Sequence, residues 1–146
     1  MALQLTITHD LDRLRDNLRL RLTDARPVWK RFAQYMRVRT DNTFDRLRRG
    51  GSYRGVTWKY FAPQYLGQLR PSGARVRDGD AIMQDTMTLR SRAALVMRMT
   101  PRSLVLGPQG VRYAAAQQAM RPFLFFDVPT DINQLERLAL EDWGGR

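Results

Sequence analysis

The chain has 146 residues, 43% hydrophobic and 27% charged, with no cysteine and a single histidine, His9. That length suits one domain over residues 1–146 with a real core, and no apolar run reaches the roughly 18 residues that a membrane span needs. Disulfides, thiolate metal sites and cysteine nucleophiles are excluded together, and no cationic-then-apolar leader opens the sequence, so synthesis in a cytoplasm is expected.

The net charge of +11 arises from 23 arginines and only two lysines, Lys30 and Lys59. Arginine pairs in bidentate fashion with carboxylates and phosphates, which points to nucleic acid or an acidic protein partner. The codon usage of a GC-rich genome would leave the same trace. Charge is also unevenly placed: residues 1–54 and 55–126 each carry net +7, whereas 127–146 carry net −3. A basic body with an acidic end could associate head to tail around a ring, or the end could fold onto its own body.

In chain order, Leu3, Leu5 and Ile7 alternate with polar residues and predict a short strand. Thr8 or Asp10 is placed to cap a helix bearing Leu11, Leu14, Leu18 and Leu22 on one face. Pro27 restarts the chain as a second helix, with Trp29, Phe32, Met36, Thr43, Phe44 and Leu47 at helical spacing, ending at Gly50-Gly51. Its Arg31, Arg37, Arg39, Arg46, Arg48 and Arg49 predict either a basic stripe or an ordinary solvated face. Gly50–Gly55 reads as a flexible loop; it follows a helix and lacks the Gly-Lys-Ser/Thr of a phosphate-binding loop. Trp58, Tyr60 and Phe61 read as a core wedge, and Pro63 as the start of a short helix through Leu69. Residues 70–80, with Pro71, Gly73 and Gly79 among mixed charges, read as a mobile loop. Asp85 is placed to cap a helix through about Ala93 that buries Leu89. A hairpin of Leu95–Met99 and Leu104–Leu106 follows, then an alanine-rich helix from Tyr113 to Met120, ended by Pro122. Phe123–Val128 predicts a buried last strand. Asp131 caps a final helix with Leu135, Leu138 and Trp143 on one face.

These elements predict an α+β fold, with N-terminal helices packed on a small, mainly antiparallel sheet and a C-terminal helix. No acid–base pair, activated nucleophile or ligand cluster has the required spacing; Glu136 and Glu141 lie about 140° apart around a helix. Neither an enzyme, a cofactor nor a metal site is predicted.

Three segments resemble a known family. Trp58…Ala62-Pro63 is similar to a Trp-Ala-Pro-Leu run. Ile82-Met83-Gln84-Asp85-Thr86-Met87-Thr88-Leu89-Arg90 is similar to an aliphatic residue followed by Asp-Thr-Gly-x-Leu-Arg. Gly107-Pro108…Tyr113-Ala114-Ala115…Arg121-Pro122-Phe123-Leu124 is similar to a Gly…Tyr-Ala-Ala…Arg-Pro-Phe-Leu ending. Together, from about residue 28 onward, they resemble the virion morphogenesis (tail completion) proteins of Mu-like tailed phages. Met87 stands where that family has glycine, and Gln117-Gln118 where His-Gln-Phe-Gly is usual.

The resemblance implies a structural protein of the head–tail junction, or neck, that completes the tail and helps join it to the head. It implies a ring homo-oligomer of six or twelve copies, contacting neighbouring neck and tail proteins, and leaves open whether the arginine-rich face meets those proteins or, without sequence preference, the DNA in the channel. The virion would then be its location, and no membrane its partner. Fold-carrying roles are expected for Trp58, Leu89, Tyr113, Pro122, Phe123 and Phe125, and interface roles for Arg48, Arg49, Arg54, Arg75 and Arg77. Arg90 and Arg121 are placed to pair with Asp85 or Asp127. The competing expectation, from the charge alone, is a sequence-independent nucleic-acid-binding module whose affinity falls steeply with salt.

Overall fold

A computed structural model of the chain describes residues 3–7, 24–70, 72–84, 87–128 and 130–144. The leucine-bearing stretch 11–22, its caps Thr8 and Asp10, His9, and the expected cap Asp85 lie outside the described residues. The fold is α+β, as the sequence predicts.

Three strands form the main sheet: β1 (Leu5–Ile7), β4 (Leu95–Met99) and β5 (Leu104–Gly107), in the order β1-β5-β4, all antiparallel. The central β5 is buried along its whole length, which explains why Leu104, Val105 and Leu106 run without polar interruption. Its last residue must be glycine. A Cβ on Gly107 would stand 2.8 Å from the Leu3 carbonyl oxygen and 2.5 Å from Met97 Sδ.

The long helix α1 (Arg26–Arg46) carries Pro27 in its first turn, where a missing N–H costs nothing. Its buried positions, Val28, Trp29, Phe32, Met36, Thr40, Thr43 and Phe44, recur every three to four residues and make one continuous stripe. The N-terminal half of that stripe packs with Ile7, Leu104, Leu106, Leu135, Leu138 and Trp143 in a first hydrophobic cluster. Phe44 and Leu47, at its other end, enter a second cluster with Trp58, Ile82, Leu89, Ala114 and Phe123. One helix therefore serves as the shared wall of two cores.

Three expectations are corrected. Gly50–Gly55 is not a free loop: β2 (Gly51–Tyr53) and β3 (Val56–Trp58) form a hairpin. Its turn residues Arg54 and Gly55 sit at φ +49° and +81°, the two left-handed positions of a type I′ turn. The helix expected from Pro63 to Leu69 is only a 3₁₀ turn, Pro63–Tyr65. Phe123–Val128 is not a strand, although Phe123 and Leu124 are buried. Gln118 substitutes for a strand partner there: its Oε1 accepts the N–H of both Phe123 and Leu124 at 3.0 Å, and its Nε2 donates to the Leu124 carbonyl at 2.6 Å. With buried backbone groups satisfied by a side chain, the segment needs no neighbouring strand. Val128, expected in that strand, is 60% exposed.

The remaining helices are α2 (Thr88–Arg92), α3 (Ala114–Met120) and α4 (Thr130–Gly144). At the expected loop 70–80, backbone bonds close a turn among the described residues. Gly67 N–H donates to Val76 O at 2.7 Å, Val76 N–H to Gln68 O at 2.9 Å and Arg70 N–H to Ala74 O at 2.7 Å.

Candidate functional site

Two places concentrate chemistry. The first is a buried ionic cluster at the seam between the two hydrophobic clusters. Arg39 falls on the apolar stripe of α1, so the helix carries its guanidinium inward; Arg39 is 2% exposed and Asp131 0%. Arg39 Nη2 donates to Asp131 Oδ2 at 2.5 Å and to the Phe125 carbonyl at 2.9 Å, and its guanidinium lies 4.1 Å from the Phe125 ring centre. The same carboxylate accepts the Tyr35 hydroxyl at 2.7 Å and the Asp127 N–H at 2.6 Å. Arg54 approaches from the hairpin turn, 3.4 Å from Asp127 and 3.8 Å from Asp131. Burial and the adjacent Asp131 carboxylate hold the Tyr35 phenol above its ordinary value. Both Asp131 oxygens are thus spoken for by the fold, and the residue itself is fully buried. The cluster is a latch tying α1, the β2–β3 hairpin and the start of α4 together.

The second place is an open groove of about 630 Å³, lined by Phe61, Val76, Ala81, Ile82, Met83, Leu89 and Tyr113, with Arg70, Thr88, Gln117 and Arg121 supplying its polar atoms. Its lining comes from the β3–α2 connection, the first turn of α2, and α3 with its flanking residues Tyr113 and Arg121. The second hydrophobic cluster positions them. Trp58 Nε1 donates to the Pro122 carbonyl at 2.8 Å, Arg121 Nε donates to the Lys59 carbonyl at 3.0 Å, and Phe44 packs on both Trp58 and Phe123. Arg90 holds α2 against α1 through Asp41 at 2.5 Å and Asp45 at 2.7 Å. Those hydrogen bonds hold the Asp41 carboxyl below the usual carboxylate range.

The two arginines of the groove differ. Arg70 pairs with Asp80 at 2.9 Å. Arg121 has no carboxylate within salt-bridge distance among the described residues, and burial lowers its pKa from the ordinary guanidinium value. Guanidinium stays charged regardless, so Arg121 is a half-buried cation facing an apolar concavity. Neither Arg90 nor Arg121 pairs with Asp127, as one expectation had it. Arg90 is taken by Asp41 and Asp45, while Asp127 meets Arg54.

Of the expected interface arginines, Arg48, Arg49, Arg75 and Arg77 are exposed. The Arg49 guanidinium lies near Gly79, and Ile82 N–H donates to the Arg48 carbonyl at 2.8 Å, so the end of α1 and the 67–80 turn adjoin. Arg54 is not on this face; it folds into the ionic cluster. Arg39 likewise drops out of any basic stripe. Among the expected fold carriers, Trp58, Leu89 and Phe123 are buried, Pro122 and Phe125 partly so. Tyr113 is 49% exposed and lines the groove instead of the core. Sequence reasoning missed Asp131 as a hub, Gln118 as a backbone partner, and the groove itself.

Among the described residues no group of three or more His, Cys, Asp or Glu is placed to hold a metal ion, and no helix is long and apolar enough to cross a membrane. Compared with protein-family models, curated proteins and solved structures, the chain finds no match.

Proposed function

We propose that this chain is a structural protein of a tailed-phage neck, acting as a ring that completes the tail and helps join it to the head. The reading rests on the family resemblance of three segments, and the observation that carries it is their convergence. Trp58 of the first bonds Pro122 of the third; Leu89 of the second packs in the same cluster as Trp58, Ala114 and Phe123. Convergence of the three in one core is what a shared family fold requires.

A departure from the pattern adds support. Met87 occupies the family's glycine position, and its φ is +60°, a left-handed conformation that glycine takes without steric cost. For other residues that region costs roughly 1–2 kcal/mol, against roughly 0.5–1 kcal/mol for glycine's extra unfolded freedom. Met87→Gly is therefore expected to leave stability unchanged or raise it by up to about 1 kcal/mol. Urea unfolding midpoints check this, and a loss beyond that amount would mean that the position does not require a glycine-like backbone.

The function is tested by light scattering at two salt concentrations, with and without a short random-sequence duplex. The expected species is a discrete ring of about six or twelve copies that persists as salt rises and ignores the duplex. A monomer at every concentration would overturn the proposal. A small species that holds the duplex at low salt and releases it at high salt would replace it with the nucleic-acid module, served by Arg48, Arg49, Arg75 and Arg77.

A further inference from the structure

The groove is an unfinished interface, and the chain carries what would finish it. We infer that the groove receives the outer face of α4 from a second copy, with Leu140 entering the apolar lining and Glu141 meeting Arg121. The inference rests on the ring reading above and names the two surfaces that would meet in it.

Three observations lead there. Arg121 is a partly desolvated cation without a carboxylate among the described residues, in a concavity whose apolar lining includes Phe61, Ile82, Met83 and Leu89 and whose other arginine, Arg70, is already paired with Asp80. Its complement is an apolar side chain with an acid beside it. The charge of the sequence supplies one candidate region, because 127–146 is the net acidic stretch, at −3, of a strongly basic chain.

Within that stretch Asp127 and Asp131 are consumed by the ionic cluster. On α4, however, Leu140 is 41% exposed, and Glu141 beside it is exposed. Among the described residues Glu141 is held only by surface pairs, to Arg31 at 2.7 Å and Arg137 at 3.8 Å. Exposed pairs of this kind contribute little, so exchanging Arg31 for the less solvated Arg121 is favourable.

Within one molecule the two do not meet: Glu141 pairs with Arg31 and Arg137, and Arg121 with the Lys59 carbonyl. The buried face of α4 packs with the N-terminal half of α1 in the first cluster, whereas the groove belongs to the second. A contact between two different surfaces is heterologous, the kind that closes a ring when its rotation angle fits.

The test is a charge swap. Arg121→Glu and Glu141→Arg are each expected to weaken self-association at least about tenfold in sedimentation velocity, since truncating or reversing one partner of a desolvated pair raises the off-rate. Combining them restores the pair with its signs exchanged and is expected to recover most of the affinity. Far-ultraviolet circular dichroism of each variant separates lost assembly from lost folding. A photo-crosslinking residue in place of Tyr113 is expected to give covalent dimers joined to the 137–143 segment of the other copy.

If wild-type rings persist unchanged in Arg121→Glu, the docking inference fails while the ring reading stands. If the wild-type chain does not assemble at all, both fall. Crosslinks returning to residues 8–23 of the same chain, or a crosslinker quenched by a co-purified small molecule, would assign the groove to another occupant and overturn the inference.

Discussion

Replacing Asp131 by alanine is expected to destabilise the protein by about 3–5 kcal/mol, a large share of the roughly 5–15 kcal/mol that holds a domain of this size. The cause is what remains behind. Without the carboxylate, the Arg39 guanidinium stays buried on α1 with only the Phe125 carbonyl and ring to face it. The Tyr35 hydroxyl and the Asp127 N–H lose their acceptor as well. Breaking one side of a buried pair is costly because desolvation of the survivor is no longer compensated; removing both sides is milder. Asp131→Ala combined with Arg39→Met is accordingly expected to be more stable than Asp131→Ala alone. Urea denaturation at neutral pH measures all three chains. A single variant within about 1 kcal/mol of the parent would show that the latch contributes little.

The second large effect concerns the second cluster. Phe123 is fully buried, 5.8 Å from the Phe44 ring, in a segment without strand partners. Truncation to alanine removes its apolar transfer energy and leaves a cavity, for an expected loss of about 3–5 kcal/mol. Phe125→Ala, two residues on and only partly buried, is expected to cost about 1–2 kcal/mol, since less area leaves the core. Midpoints from thermal unfolding would rank the pair, and an inverted order would mean that the segment is anchored by Phe125 and the Arg39 stack instead. Loss of Phe123 also removes a support beneath Leu89 and the groove, so the proposed ring should weaken in the same variant.

Elements with a period were legible in the sequence. The alternation of Leu3, Leu5 and Ile7 marks β1; the three-to-four spacing from Val28 to Phe44 marks α1; the turn residues around Pro101 place the β4–β5 hairpin. What escaped had no period to follow. A run of four apolar residues, Phe123 to Phe126, reads equally as a strand or as irregular chain, and only Gln118, five residues before Phe123, decides between them. Arg39 was counted with the surface charges, although it lies three residues after Met36 and four before Thr43, on the buried stripe. That position, read with Asp131 in the first turn of the last helix, on the same face as Leu135 and Leu138, was the available signal for the latch. The groove is built from residues between 61 and 121 that no local pattern connects, so it emerges only once Trp58 and Pro122 are brought together.

The order β1-β5-β4 has a consequence for how the protein can be made. The first cluster unites Ile7 with Leu135, Leu138 and Trp143, so no partial translation product shorter than about 140 residues can complete it. The second cluster draws on residues 44–124 and needs nothing later. Synthesis therefore offers the two cores in a set sequence, and the nascent chain emerges from the ribosome with the apolar stripe of α1 half covered until α4 arrives. Arg39 waits through that interval for Asp131, as a charge in a half-formed site.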